Sequence, residues 1–241
     1  MNQVIFFIIF GALAHSATPT AHELLDKLDR LYRADSSQAT LEMTIQTKNW
    51  TRTLKLESWS RGMDETLIRI LSPKKDVGIA TLRKKKDIWN FFPKINKTIK
   101  VPPTMMMSSW MGSDFTNDDL VRESSYIKDY DFKMADASDH YTITLTPKEK
   151  TITVWSRAEV DIDKKTEIPS AQRFYNERGE IVQTLTFSKI KTISGRTVPM
   201  VMEMIPHGKE SQKTRIEYLD IQFNPKLRSN QFSLQMLKQT R

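Results

Sequence analysis

The 241 residues include no cysteine and only four histidines. Without cysteine there is no disulfide, no thiolate nucleophile and no lipobox attachment point, so stability has to come from packing. The histidines stand at 15, 22, 140 and 207, and no His-Glu-x-x-His, Gly-x-Ser-x-Gly or phosphate-cradling glycine loop accompanies them. Seven glycines leave little material for tight ligand loops. These absences argue against hydrolytic, thiol and nucleotide chemistry, and the chain reads as a non-enzyme with no cofactor and no metal. Long apolar runs are missing as well. Only residues 4–10, VIFFIIF, are unbroken, far short of the ~20 residues a spanning helix needs. Gly11-Ala12-Leu13-Ala14 follows, so the stretch reads as the apolar part of a secretory signal, with cleavage after Ala14, Ser16 or Ala17. An uncleaved anchor is the other reading. The expected division is a signal peptide over 1–17 and a single domain over 18–241, placed in the periplasm.

What is present in excess is positive charge, with 37 Lys and Arg against 29 Asp and Glu. The first 17 residues hold none of these, so the domain keeps the net charge of +8. A basic exported protein favours anionic lipid headgroups or an acidic partner. Nucleic acid is disfavoured, since no nucleic-acid motif is present and the chain carries an export signal. Arg83-Lys84-Lys85-Lys86 concentrates the charge. It reads either as a solvated turn or as a basic contact for anionic headgroups or an acidic partner.

Thr20 and Glu23 form a capping box, and Leu24, Leu25, Leu28, Leu31 and Tyr32 recur at helical spacing. The pattern predicts an amphipathic helix over about 21–34. The period then changes to two. Leu41, Met43 and Ile45 share a face, as do Leu54 and Leu56, then Tyr141, Ile143 and Leu145, and then Ile181, Leu185 and Phe187. Met200, Met202 and Met204 form another such face, and Leu219, Ile221 and Phe223 end the last run. Turn signals separate these runs at hairpin spacing. The pattern predicts ten to eleven strands in a mainly β (α+β) domain: a single curved antiparallel sheet with one wet face. Its other face would be covered by the N-terminal helix, residues 105–122 and residues 224–238.

Residues 105–121, MMMSSWMGSDFTNDDLV, hold the least ordinary composition. Met105, Met106, Met107 and Met111 with Trp110 read in three ways. They are core filling, a flexible lid over an acyl pocket, or a thioether site for Cu(I) to which Met202, Met204 and His207 add ligands. Gly112, Ser113, Asp114 and Phe115 read as a turn. Thr116 then caps a short helix with Asp118 and Asp119 in its first turn. Asp114 is expected to pair with a basic group and hold the lid closed.

Three segments together resemble the LolA-like outer-membrane lipoprotein-sorting family. Arg69-Ile-Leu-Ser-Pro73 followed by residues 77–82, VGIATL, is similar to the family's strand, proline turn and glycine-initiated strand. Trp89-Asn-Phe91-Phe-Pro93, with Ile99 and Val101, is similar to its aromatic hairpin. Trp110-Met-Gly-Ser-Asp-Phe115 with Asp119-Leu120 is similar to its central signature. Phe223-Asn-Pro225 and Phe232-Ser233 resemble its C-terminal end. The resemblance implies an open half-barrel whose apolar concave side lies under cover helices. It also implies a monomeric periplasmic carrier of lipid or lipoprotein acyl chains, passing from an inner-membrane transporter of ABC or RND/MMPL type to an outer-membrane acceptor. The lining and lid expected on these grounds are Met105, Met106, Met107, Trp110, Met111, Phe115, Trp89, Phe91, Met200, Met202 and Met204. The alternative is a lipid-responsive sensor or docking subunit of a membrane transport complex.

Overall fold

The computed structural model describes residues 18–121, 125–151, 153–209 and 211–239. The expected signal segment, 1–17, lies outside them. Thr20 Oγ1 accepts the Glu23 N–H at 3.2 Å while the Thr20 N–H donates to Glu23 Oε2 at 2.8 Å. This reciprocal box starts α1 (Ala21–Asp29). The helix is shorter than its apolar stripe suggested. Turns carry the chain over 30–32 and still deliver Leu31 and Tyr32 to the core.

Six strands follow as a meander: β1 (Ser36–Gln46), β2 (Thr51–Arg61), β3 (Glu65–Ser72), β4 (Ala80–Lys84), β5 (Asp87–Phe92) and β6 (Lys97–Lys100). Two short helices, α2 (Asn117–Val121) and α3 (Tyr126–Asp129), cross to a second meander. It comprises β7 (Tyr130–Asp136), β8 (His140–Pro147), β9 (Arg157–Asp163), β10 (Pro169–Tyr175), β11 (Ile181–Ile193), β12 (Arg196–Pro206) and β13 (Lys213–Phe223), and α4 (Leu234–Leu237) comes last. Every pairing is antiparallel, and β1 pairs with β13, so the two meanders form one open, curved 13-stranded sheet. The count exceeds the expected ten to eleven because the edge strands carry little alternation. β6 is exposed at nearly every position, and β7 buries no residue fully.

The concave face holds the main core. Leu41, Met43, Leu54, Ile70, Ile143 and Val160 point into it, and Leu24, Leu25 and Leu28 of α1 pack over it. The last strand departs from its expected alternation. Between Thr40 and Leu41 the β1–β13 register shifts, so that Thr40 faces Asp220 and Leu41 faces Tyr218. Leu219 is the extra residue of this bulge and is 52% exposed. Ile216 and Tyr218 therefore share the concave face with Ile221, and Leu219 does not.

Among the described residues the convex face is covered over β2–β5. There Trp59, Leu67, Leu82 and Phe91 pack against Phe232, Met236 and Leu237 at the C-terminal end. Residues 224–238 were expected on the same side as α1, and they pack on the opposite one. Elsewhere the outer face is polar and ionic. Arg173 holds Asp161 with two hydrogen bonds, 2.7 and 2.9 Å, and Thr142 Oγ1 donates a third at 2.9 Å. Burial alone would raise the Asp161 pKa, but these three donors outweigh it and hold the carboxyl below its ordinary 3.8.

A depressed folded-state pKa stabilises the fold above the unfolded-state value, and that contribution is lost as pH falls through the folded-state value. Urea unfolding of wild-type protein is therefore expected to lose stability on acidification below about pH 4. Asp161→Asn should show a shallower loss over the same window. Parallel curves for the two proteins would contradict this role for the pair.

Candidate functional site

Between the concave face and its cover lies a cavity of about 200 Å³. Its floor comes from alternate residues of the central strands, among them Ala39, Leu41, Met43, Ile68, Met204 and Ile216. Its roof is Leu28 and Leu31 near the end of α1, Met107 and Phe115, and Tyr126 of α3. Trp155 and Phe174 close one side with ring centroids 5.1 Å apart. Tyr32 and Tyr218 stack at 4.5 Å and 9°, and the Tyr32 hydroxyl donates to the Pro199 carbonyl at 2.7 Å. Burial pushes the Tyr218 phenol well above its ordinary 10.0, against a weaker downward pull from Arg33. The wall is thus mostly aliphatic, thioether and aromatic. Such a surface favours flexible hydrocarbon. Among the described residues no group of His, Cys, Asp and Glu is arranged to hold a metal ion.

Asp118, Asp119, Thr153 and Gln172 line the cavity at the roof and one side, and a second polar group lies at the end where β1 starts, β2 ends and β3 starts. Arg33, Ser37, Ser58, Ser60 and Thr66 line it there. Ser37 and Ser60 share a hydrogen bond of 2.6 Å, and Arg33 reaches the Met63 carbonyl at 3.3 Å. The Thr66 hydroxyl is buried and has no hydrogen-bond partner among the described residues. A buried hydroxyl without a partner costs about 1–3 kcal/mol, so this end suits a ligand oxygen or nitrogen.

The roof is pinned by side chains from four strands. Trp110 Nε1 donates to Thr81 Oγ1 at 3.1 Å, and Thr81 donates on to Asn90 Oδ1 at 2.7 Å. Arg52 donates to the Met111 carbonyl at 3.3 Å and forms an ion pair with Asp76 at 2.7 Å. The 111–112 turn needs left-handed backbone, φ 53° at Met111 and 81° at Gly112. Ser113, which is buried, donates to the Trp110 carbonyl at 2.7 Å. Asp114 accepts from Gln212 at 2.5 Å and from Thr214 at 2.7 Å, its N–H donates to Thr214 at 2.9 Å, and its carbonyl accepts from Gln183 at 2.9 Å. These partners are neutral, so the expected pairing of Asp114 with a basic group is replaced by a neutral hydrogen-bond cluster. Thr116 and Asp119 cap α2 reciprocally, at 2.8 and 3.1 Å. On the far side Asp29 accepts from Ser125 Oγ at 2.7 Å and from the Tyr126 N–H at 3.2 Å, joining α1 to α3.

The expected site residues divide. Met107, Phe115, Met202 and Met204 line the cavity, together with Asp119. Trp110 and Met200 are buried in the same core, and Met111 packs against it. Met106 instead packs on Ile88 at the β5 side, and Met105 is 51% exposed. Met107 also packs against this Met106 cluster, so of the three methionines Met105 alone stands apart. Trp89 and Phe91 lie on the convex face with the C-terminal cover, which removes them from the lining. Their parity follows from the pairing of Trp89 with Leu82 and Phe91 with Ala80. The basic run also splits. Arg83 is buried and donates to the Lys85 and Met63 carbonyls at 2.8 and 2.6 Å, so it belongs to the hairpin, while Lys84, Lys85 and Lys86 are exposed. Sequence reading missed Tyr126, Trp155, Phe174 and Tyr218 in the lining. Their signal, an aromatic next to a turn or a bulge, has meaning only once the pairing is known.

A family model described as that of an uncharacterized protein matches residues 62–239, well over half of the chain. The chain belongs to that family. Its fold is LolA-like. A LolA superfamily protein from Nitrosomonas europaea aligns at TM-score 0.74 and 20% identity, over 90% of this chain and 99% of that one. A DUF1329 family protein from Desulfovibrio piger aligns at 0.80 and 21%, over 90% and 97%. A domain named for outer membrane lipoprotein sorting, from Vibrio parahaemolyticus, aligns at 0.77 and 22%, over 89% and 97%. No curated protein matches the chain.

If Asp114 is the main tie of this LolA-like roof, Asp114→Asn should free residues 105–119. Charged hydrogen bonds contribute about 1.5–3 kcal/mol, so amide exchange there should quicken by about tenfold or more. Hydrogen exchange read by mass spectrometry checks this, and unchanged protection would contradict it.

Proposed function

We propose that this protein is a periplasmic carrier that shields acyl chains of a lipid or lipoprotein between membranes. The observation that carries the reading is the cavity itself, closed by a roof and lined with Met107, Met202, Met204, Phe115, Tyr126 and Trp155. Each methylene moved from water into such a lining gains about 0.8 kcal/mol, so one chain is already a strong ligand. The cluster of hydroxyls with Arg33 at one end supports an amphiphile, its hydrocarbon along the apolar wall and its polar group at that end. The LolA-like fold supports the same role, as does the Vibrio relative named for lipoprotein sorting. In this reading residues 1–17 are a signal peptide, 18–241 are the carrier domain, and the protein works as a monomer with an inner-membrane transporter and an outer-membrane acceptor. Met107, Phe115, Met202 and Met204 contact cargo, and no bond is made or broken. A second reading, a lipid-responsive docking subunit, draws on the same cavity and differs in that cargo is not passed on.

Two variants separate a filled from an empty cavity. Ala39→Phe should occupy the floor without adding polarity, and Met107→Asp should make the roof polar. Excluding about two methylenes costs roughly tenfold in affinity. Each variant is expected to bind a fluorescent fatty-acid probe at least about that much more weakly, with melting still cooperative. Wild-type affinity in both folded variants would remove the cavity as the binding site.

A further inference from the structure

Antiparallel pairing places alternate turns of a meander on one rim of the sheet. On the rim formed by the β1–β2, β3–β4 and β5–β6 connections, each tip sets an exposed apolar side chain among lysines. The first has Lys48 and Trp50, the second Lys74, Lys75 and Val77, and the third Lys94, Ile95 and Lys97. Trp50, Val77 and Ile95 are 45%, 41% and 61% exposed. The carboxylate among these tips, Asp76, is buried and paired with Arg52. None of the five lysines has an ion pair among the described residues. Tips two strands apart are about 10 Å from one another, so the three apolar groups form a row of about 20 Å. The opposite rim of this half, at residues 62–64 and 85–86, carries Asp64 with Lys85 and Lys86 and no large exposed apolar group.

We propose that this rim docks on the surface of an anionic phospholipid bilayer, with Trp50, Val77 and Ile95 entering the headgroup layer and the lysines pairing with lipid phosphates. Interfacial tryptophan and basic residues beside apolar ones have the chemistry of a monotopic contact. The positive charge of these three tips favours a lipid surface of opposite sign, while Glu149, Glu177 and Glu180 are exposed further along the rim. The same rim extends to the β8–β9 and β12–β13 connections, where Val154 is 58% exposed beside a groove walled by Gly112, Asp114, His207 and Gln212. Met107 and Trp155 line both this groove and the cavity, so the groove on this rim adjoins the cavity. The docking surface does not depend on the carrier reading, since it uses no cavity residue.

The test is flotation of the purified chain with vesicles of phosphatidylcholine alone or mixed equally with phosphatidylglycerol. Binding is expected only to the mixed vesicles and should weaken with added salt. A lysine near the surface contributes about a factor of five to ten. Lys48→Gln with Lys74→Gln and Lys94→Gln should therefore weaken binding on the order of a hundredfold. Trp50→Ser with Ile95→Ser should weaken it while leaving its salt dependence. Lys165→Gln with Lys191→Gln, exposed on the opposite rim, should change it little. No binding by wild-type protein, equal binding to uncharged vesicles, or an equal loss in the opposite-rim variant would each overturn the proposal. Fatty-acid probe binding in the triple variant, read without vesicles, stays at the wild-type level if the rim and the cavity are separate, and it reports on the carrier reading by itself.

Discussion

The pairing of the first strand with the last is the constraint on which the rest of this structure depends. β1 and β13 come from opposite ends of the chain, and their ladder runs from Ser37–Phe223 to Gln46–Lys213. Without it there are two meanders, each with one half of an apolar face. With it, the faces of both halves fall on one side, and a continuous concave surface has to be kept from water. Because side chains alternate with a period of two, this one register fixes the direction of every residue in the central strands. The bulge at Thr40/Leu41 is part of that constraint, since it turns Tyr218 inward and Leu219 outward.

The cover is lighter than the surface it protects. A nine-residue helix, two helices of one turn or so and the 105–116 loop roof a face drawn from most of thirteen strands. Space is left between floor and roof, and its lining is apolar because the floor is apolar. The roof is held by the packing of Trp110 and Phe115 in the core and by polar ties. Thr81 accepts a hydrogen bond from Trp110, and Arg52, Gln183, Gln212 and Thr214 each donate one, tying segment 110–114 to the sheet, while Asp29 ties α3 to α1. Releasing this roof would break these hydrogen bonds and lift Trp110 and Phe115 out of the core.

Much of this was legible in the chain. The alternation of Leu41-Met43-Ile45 and Tyr141-Ile143-Leu145 is simple because central strands bury one face cleanly. The capping box at Thr20 and Glu23 is local and needs no tertiary knowledge. The edge strands were not legible, since β6 has almost no buried face to write a pattern. Trp89 and Phe91 are equally apolar on either side of a sheet, and only their pairing with β4 places them under the C-terminal segment. The run 83–86 reads as four alike cations, yet strand parity buries Arg83 and the turn exposes the rest. Asp114 looked like one half of an ion pair because its partners, Gln212 and Thr214, lie about a hundred residues away and are neutral.

Native mass spectrometry of the protein taken from its own compartment without detergent tests the central claim most directly. The account predicts a bound species with the mass of a lipid or acylated peptide, lost on collisional activation to leave the bare chain. A bare chain that also fails to take up added phospholipid or fatty acid would contradict it, and the cavity would then be a packing defect of the fold.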